Sequence, residues 1–259
     1  MREINAILTI AYRDLLKLLR DPMRLISTLV LPLLFITILG GSMQANLGKG
    51  LGYDFQVYIF TGVFAQSLFQ SAAMGIVSLI DDRENDFSQE IFISPISRYS
   101  IILGKIVGET LVALTQGFGI LLFGLLAGVT FSVGQLFGLL WVSVVVCLFA
   151  AAFGIILLSN LPNRRTADQI FPFIMLPQFF LAGVFNPIHI LPWYLDILSR
   201  ISPMRYAVDL TRGVFYAGRT DYSEIVLQPP LLNLAIMIVG FIIFLVIGTY
   251  LFVRSERNR

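Results

Sequence analysis

The stretch Thr110–Asn163, TLVALTQGFGILLFGLLAGVTFSVGQLFGLLWVSVVVCLFAAAFGIILLSNLPN, runs for 54 residues without Asp, Glu, Lys, Arg or His. One helix crossing a bilayer absorbs roughly 20 apolar residues. The stretch is therefore long enough for two spans, turning at Thr130 to Val133, and the chain is expected to be an all-α integral membrane protein.

The same solvent preference covers most of the 259 residues, of which 57% are apolar and 13% charged. A soluble domain carries roughly a quarter charged residues. Net charge is only +2, with basic residues scattered among acidic ones, so there is no continuous stripe to follow a phosphate backbone and nucleic acid is excluded as a partner. The single cysteine, Cys147, excludes a disulfide framework and a thiol cluster.

Six transmembrane spans are expected. Residues 1–24 place Ile4, Ile7, Leu8, Ala11, Leu15, Leu18 and Leu19 at helical spacing, with charges interrupting the run. They read as an interfacial amphipathic helix rather than a cleavable signal. The first span is 25–43, with a mild kink at Pro32. A glycine-rich link, 44–54, leads to the second span, 55–80. Residues 81–100 are strongly polar around an apolar core of Phe87, Ile91, Phe92 and Ile96, as a short cytoplasmic helix requires. The third and fourth spans are 101–129 and 134–160. The turn 161–168 carries Arg164 and Arg165, and the fifth span, 169–185, is broken by Pro172 and Pro177. The outer segment 186–230 precedes the sixth span, 231–253.

If the N-terminus is cytoplasmic, 13 of the 18 Lys and Arg residues flank the spans on the cytoplasmic side. The positive-inside rule then puts both termini in the cytoplasm.

Residues 185–218 are too apolar for a free loop, yet Pro187, Pro192 and Pro203 forbid one helix. Two short helices dipping into the outer leaflet are expected, over a covered pathway or as an aromatic belt. Within them Arg205, Asp209 and Arg212 have the spacing of a local charge ladder. Glu109 is the one carboxylate inside an expected span and a candidate pathway charge. Lys105, one turn earlier, is expected to snorkel outward or pair with it. His189 is the only histidine and has no second ligand of its kind. No Gly-x-x-x-x-Gly-Lys-Ser/Thr cradle and no His-Glu-x-x-His is present, so neither nucleotide chemistry nor a zinc hydrolase is expected on this chain. Catalytic, cofactor and metal residues are accordingly expected to be absent.

Two motifs resemble the permease subunits of type-2 ABC exporters, and the likeness extends over nearly the whole chain. The first is Glu90-Ile91-Phe92-Ile93-Ser94-Pro95-Ile96-Ser97, similar to the family's Glu-x-x-x-x-(Ser/Thr)-Pro-(Ile/Leu)-Ser after the second span. The second runs from Pro177 through Gly183, Asn186-Pro187, Leu191-Pro192 and Ser202-Pro203 to Asp209–Gly213, like the family's fifth-span end and outer re-entrant helices. Asn186 departs from the hydrophobic or aromatic residue many members have there.

The resemblance implies that Phe87, Glu90, Ile91, Phe92, Ser94, Pro95 and Ile96 contact a separate ATPase. A polar-rimmed apolar helix suits such docking. It implies an outer gate at Asn186, Pro187, Leu191, Pro192, Pro203, Asp209 and Arg212. It further implies two ATPase subunits holding ATP and Mg, a second permease copy or a paralogue, surrounding membrane lipids, and export of a hydrophobic, amphipathic or lipid-linked substrate from a prokaryotic cell. The alternatives from other classes are an ion-coupled secondary transporter, which calls for several buried charges and inverted repeats, and a membrane-integral enzyme or scaffold.

Overall fold

The computed structural model describes residues 2–47, 52–84, 97–158, 161–188 and 191–257. Among these there are helices and turns and no strand.

Helix α1, Arg2–Leu19, is the amphipathic N-terminal element. Asp21 follows it and accepts the amide of Arg24 at 3.0 Å. With Pro22 at the first helical position, where a missing N–H costs nothing, α2 spans Pro22–Leu34 and so starts before the charge-free run. Pro32 withholds the donor its preceding turn would use. The helix then widens to π-type winding at Phe35–Gly40 before continuing as α3, Gly41–Leu47.

Helix α4, Phe55–Gly75, is capped by Asp54, whose carboxylate accepts the amides of Gln56 at 2.9 Å and Val57 at 3.3 Å. Helix α5, Ser78–Glu84, follows directly. Helix α6, Arg98–Leu126, starts at the Ser97 hydroxyl, which accepts the Ser100 amide at 3.1 Å. Helix α7 is Val133–Leu158. Helix α8, Arg164–Leu181, begins at Asn163, which accepts the Thr166 amide at 2.8 Å. Three shorter helices follow, α9 at Trp193–Ile201, α10 at Pro203–Phe215 and α11 at Tyr222–Ile225, and then the long α12, Pro230–Arg257.

Among the described residues, five helical stretches are long and apolar enough to cross a membrane: Pro22–Asn46, Phe55–Asp82, Arg98–Leu126, Val133–Leu158 and Tyr222–Arg254. The expected fifth span, 169–185, is not among them. Its helix, α8, opens with Arg164, Arg165 and Asp168, and the uncharged part, residues 169–181, covers only about 20 Å at 1.5 Å per residue, against ~30 Å of hydrocarbon.

Helix α4 is the centre of the bundle. It packs on α6, α7 and α10 and buries Phe55, Tyr58, Phe60, Phe64 and Phe69. Between lipid-like surroundings and an apolar core there is little hydrophobic driving force, so close fit holds such helices together. Phe69 meets Phe149 and Phe153 of α7 with ring centres 6.1 and 5.7 Å apart, and both α7 rings meet Phe244 of α12 at 5.5 Å. Helix α1 lies along α6 at one end of the bundle. Helices α9 and α10 fold over the opposite end.

Candidate functional site

The motif residues Phe87, Glu90, Ile91, Phe92, Ser94, Pro95 and Ile96 lie outside the described residues, and so does His189. Both roots of the motif segment are described. On the entering side, α5 supplies two adjacent carboxylates. Asp81 is 2.5 Å from Arg164 of α8, and Asp82 accepts from Arg13 of α1 at 2.8 Å. On the leaving side, the Ser97 amide is 3.3 Å from both carboxylate oxygens of Glu3. Helix α1 therefore grips the segment at entry and exit.

Behind this grip sits a buried charge cluster. Lys105 of α6 is 1% exposed and does not snorkel. Its Nζ is 3.0 Å from Asp14 and 2.9 Å from Asp82, and it donates to the Ser78 hydroxyl at 3.1 Å. The ammonium thus sits between two carboxylates and a hydroxyl, with a hydrogen bond to Ser78 and ion-pair contacts to Asp14 and Asp82. Two carboxylates around one buried cation, with Arg13 closing the far side at 3.0 Å from Asp14, balance charges that would be costly alone.

Glu109, one turn along α6, is 3% exposed. No Lys or Arg lies within ion-pair distance of it among the described residues, so the pairing with Lys105 expected from spacing does not form. Its Oε1 is 2.9 Å from the Ser78 hydroxyl, but that hydroxyl is also 2.6 Å from the Gly75 carbonyl. One proton cannot serve both at full strength. The other oxygen, Oε2, has no hydrogen-bond partner.

The expected outer gate lies at the end opposite α1. Asn186 is exposed, Pro187 and Leu191 are partly buried, and Pro192 and Pro203 open α9 and α10. The elbow between the two helices rests on the end of α8. There the Ser199 hydroxyl donates to the Leu181 carbonyl at 2.5 Å and the Ser202 hydroxyl to Gln178 Oε1 at 3.2 Å.

The charge ladder expected from the spacing of Arg205, Asp209 and Arg212 is absent, because each residue has a better partner elsewhere. Arg205 donates to Asp196 at 3.0 Å and Ser199 at 2.9 Å. Hydrogen bonds from Arg200 and then Arg205 hold the Asp196 carboxyl below the usual carboxylate range. Asp209 accepts the amides of Leu227 at 2.8 Å and Gln228 at 3.0 Å and the side-chain amide of Asn233 at 2.7 Å. It therefore pins the approach to α12.

Arg212 points the other way, into α4. It donates to the Tyr58 hydroxyl at 3.0 Å and its guanidinium lies 3.7 Å from the centre of that ring. Tyr58 in turn donates to the Gly183 carbonyl at 2.9 Å. Gly62 makes this possible, since a Cβ there would stand 2.6 Å from the Val184 carbonyl and 2.9 Å from Arg212 Nη2. Tyr58, Ser78, Asp14 and Gln178 were not singled out from the sequence. Each is a polar residue in an apolar run whose partner is distant along the chain.

The profile of the family described as "ABC-2 type transporter" matches residues 5–216. The chain is 23% identical to the "Putative transport permease ycf38" of Cyanophora paradoxa, covering 96% of this chain and 88% of that protein. It is 24% identical to the "Inner membrane transport permease YadH" of Escherichia coli strain K12, covering 83% and 84%. It is 28% identical to the "Probable multidrug ABC transporter permease YbhR" of the same strain, over 54% of this chain and 38% of that one. With the family's profile spanning most of an all-helical, multi-span chain, this protein belongs to the ABC-2 type transporter family of membrane permeases.

Proposed function

We propose that the chain is the membrane permease subunit of an ATP-driven exporter, coupled to a separate ATPase and paired with a second copy or a related permease. The observation that carries this reading is the double grip on the segment 85–96. Asp82 meets Arg13 at 2.8 Å before it, and Ser97 meets Glu3 at 3.3 Å after it. A push on that segment is passed to α1 and, through Lys105, to α6. In this reading Phe87, Glu90, Ile91, Phe92, Ser94, Pro95 and Ile96 meet the ATPase, ATP and Mg stay on the partner, and both termini face the cytoplasm of a prokaryotic cell.

The region from Asn186, Pro187, Leu191 and Pro192 to Pro203, Asp209 and Arg212 acts as the outer gate, and the substrate is hydrophobic, amphipathic or lipid-linked. Glu90→Ala and Ile91→Asp test the assignment. Each should uncouple ATP hydrolysis from export while leaving the chain folded and inserted. Unchanged transport by both variants would sink it.

A further inference from the structure

A cavity of about 360 Å³ lies between α2, α4 and α6, within the size range of small-molecule sites. It is polar in the middle of the membrane. Ser67, Gln70 and Ser71 of α4 line it at the centre of the span Phe55–Asp82, together with Gln116 of α6. The two helices meet at this level, since a Cβ on Gly117 would stand 2.7 Å from the Leu68 side chain. From the centre of its own span, Pro22–Asn46, α2 contributes the apolar Leu31, Pro32 and Phe35.

Polar side chains at that depth ordinarily find partners inside the bundle. Other hydroxyls of the same span do: Thr61 donates to the Tyr58 carbonyl at 2.9 Å, and the Ser78 hydroxyl lies 2.6 Å from the Gly75 carbonyl. Ser67, Gln70, Ser71 and Gln116 make no side-chain hydrogen bond to any described residue, and their polar atoms are open rather than sealed in the packing. Gln66 beside them differs, because its Oε1 is sealed. Ser67, Gln70 and Ser71 are three and four residues apart, hence neighbours on one helix face with Cβ atoms about 5–6 Å from each other, within reach of a single head group.

This face carries no charge. The charged side chains of the lining gather toward the α1 end, where Asp14 is 3.0 Å from Lys105 and Asp81 lies against Arg164. Lys17 and Arg24 are exposed there, and Glu109 Oε2 is sealed. A charged head group on the α4 face would give up its hydration without a counter-ion. Hydroxyls and primary amides, by contrast, each donate and accept. Neighbouring hydroxyls on an uncharged ligand satisfy both demands at once.

We infer that this cavity binds an amphiphile with an uncharged, hydroxyl-rich head group, whose hydroxyls bond Ser67, Gln70, Ser71 and Gln116 while its apolar chain lies against Leu31 and Phe35. The inference rests on the exporter reading and names the head group of its substrate.

The test uses the purified full-length chain in lipid nanodiscs, with empty nanodiscs as reference for partitioning. The probes are dodecyl glucoside, dodecanol, dodecylamine and dodecyl sulfate, which share one chain length. The glucoside should bind most tightly. Gln70→Leu, and separately the double variant Ser67→Ala with Ser71→Ala, should each weaken it about tenfold and leave dodecanol unchanged. Both changes remove polar groups from an apolar setting, so insertion and folding are preserved. Glucoside binding unaltered in both variants would overturn the proposal, as would an amine or a sulfate that binds as well as the glucoside.

A second measurement needs no variant. Dodecyl glucoside carrying a diazirine at the sugar end of its chain should label residues 66–74 or 112–120, read by mass spectrometry, and plain glucoside should suppress that labelling. Labels confined to other segments would also overturn it. Neither measurement involves nucleotide or an ATPase. A chain that engages its ATPase but shows no preference for the glucoside removes only this assignment, and one that prefers the glucoside but engages no ATPase removes only the exporter reading.

Discussion

The Arg212 guanidinium lies 3.7 Å from the centre of the Tyr58 ring and donates to the same residue's hydroxyl at 3.0 Å. Together they tie α10 to the start of α4 across 154 residues of sequence. Arg212→Ala should lower stability by on the order of 2–4 kcal/mol, from a desolvated cation–π contact and buried acceptors left open. Arg212→Lys should rescue little, because an ammonium cannot both stack on the ring and reach the Val184 carbonyl. Thermal unfolding in detergent checks both.

Asp209 and Arg212 serve different neighbours, so the charge-swapped double variant Asp209→Arg with Arg212→Asp should be at least as unstable as the worse single variant. Partial restoration would show that the two residues interact directly. Asp209→Ala alone frees the amides of Leu227 and Gln228 and should detach the link leading into α12, seen as faster hydrogen exchange at 226–229.

Among the described residues, Lys105 and Arg13 are the cations within 4.0 Å of Asp14. Lys105→Met leaves Asp14 and Asp82 to share Arg13 and should cost about 3–5 kcal/mol. Adding Asp14→Asn and Asp82→Asn should recover much of that loss. The local readout is protease access to α1, which the single variant should raise and the triple variant return toward normal.

The elbow between α9 and α10 should soften in acid. Asp196 is held below the usual carboxylate range by Arg200 and Arg205, so its contribution is complete above the unfolded carboxyl value and is lost as pH falls through the lower, folded one. The effect is small because the site faces water. Asp196→Asn should show the softened elbow already at neutral pH, with no further loss in acid attributable to this site, as hydrogen exchange at 193–203 would report.

The charge-free stretch Thr110–Asn163 was legible because lipid solvation leaves an unmistakable composition, and it forms the ends of α6 and the whole of α7 with a turn at 127–132. The expected first span starts at Leu25, with the charge-free run, whereas the helix that carries it starts at Pro22, capped by Asp21. The expected fifth span, 169–185, has a helix over most of its length, but Arg164, Arg165, Asp168, two prolines and polar residues keep it from standing out as long and apolar. What spacing cannot show is choice of partner. Arg205, Asp209 and Arg212 are correctly spaced for each other, yet Asp196, two backbone amides and Tyr58 offer shorter and more numerous bonds. Lys105 was expected to reach for water because Asp14 and Asp82 stand far from it in sequence. Glu109 did stand out in the sequence as an intramembrane charge, and its unmet oxygen became visible only once Ser78, Gly75 and the cavity surrounded it.

In the proposed function this permease works through a separate ATPase seated on the segment 85–96, whose flanking residues Asp82 and Ser97 meet α1. The most direct measurement is affinity purification of the native complex from membranes in mild detergent, with partners identified by mass and ATP hydrolysis assayed for wild type and Glu90→Ala. An ABC ATPase should co-purify with wild type and be lost or silent with the variant. A folded chain that purifies without a partner and is indifferent to ATP would contradict it.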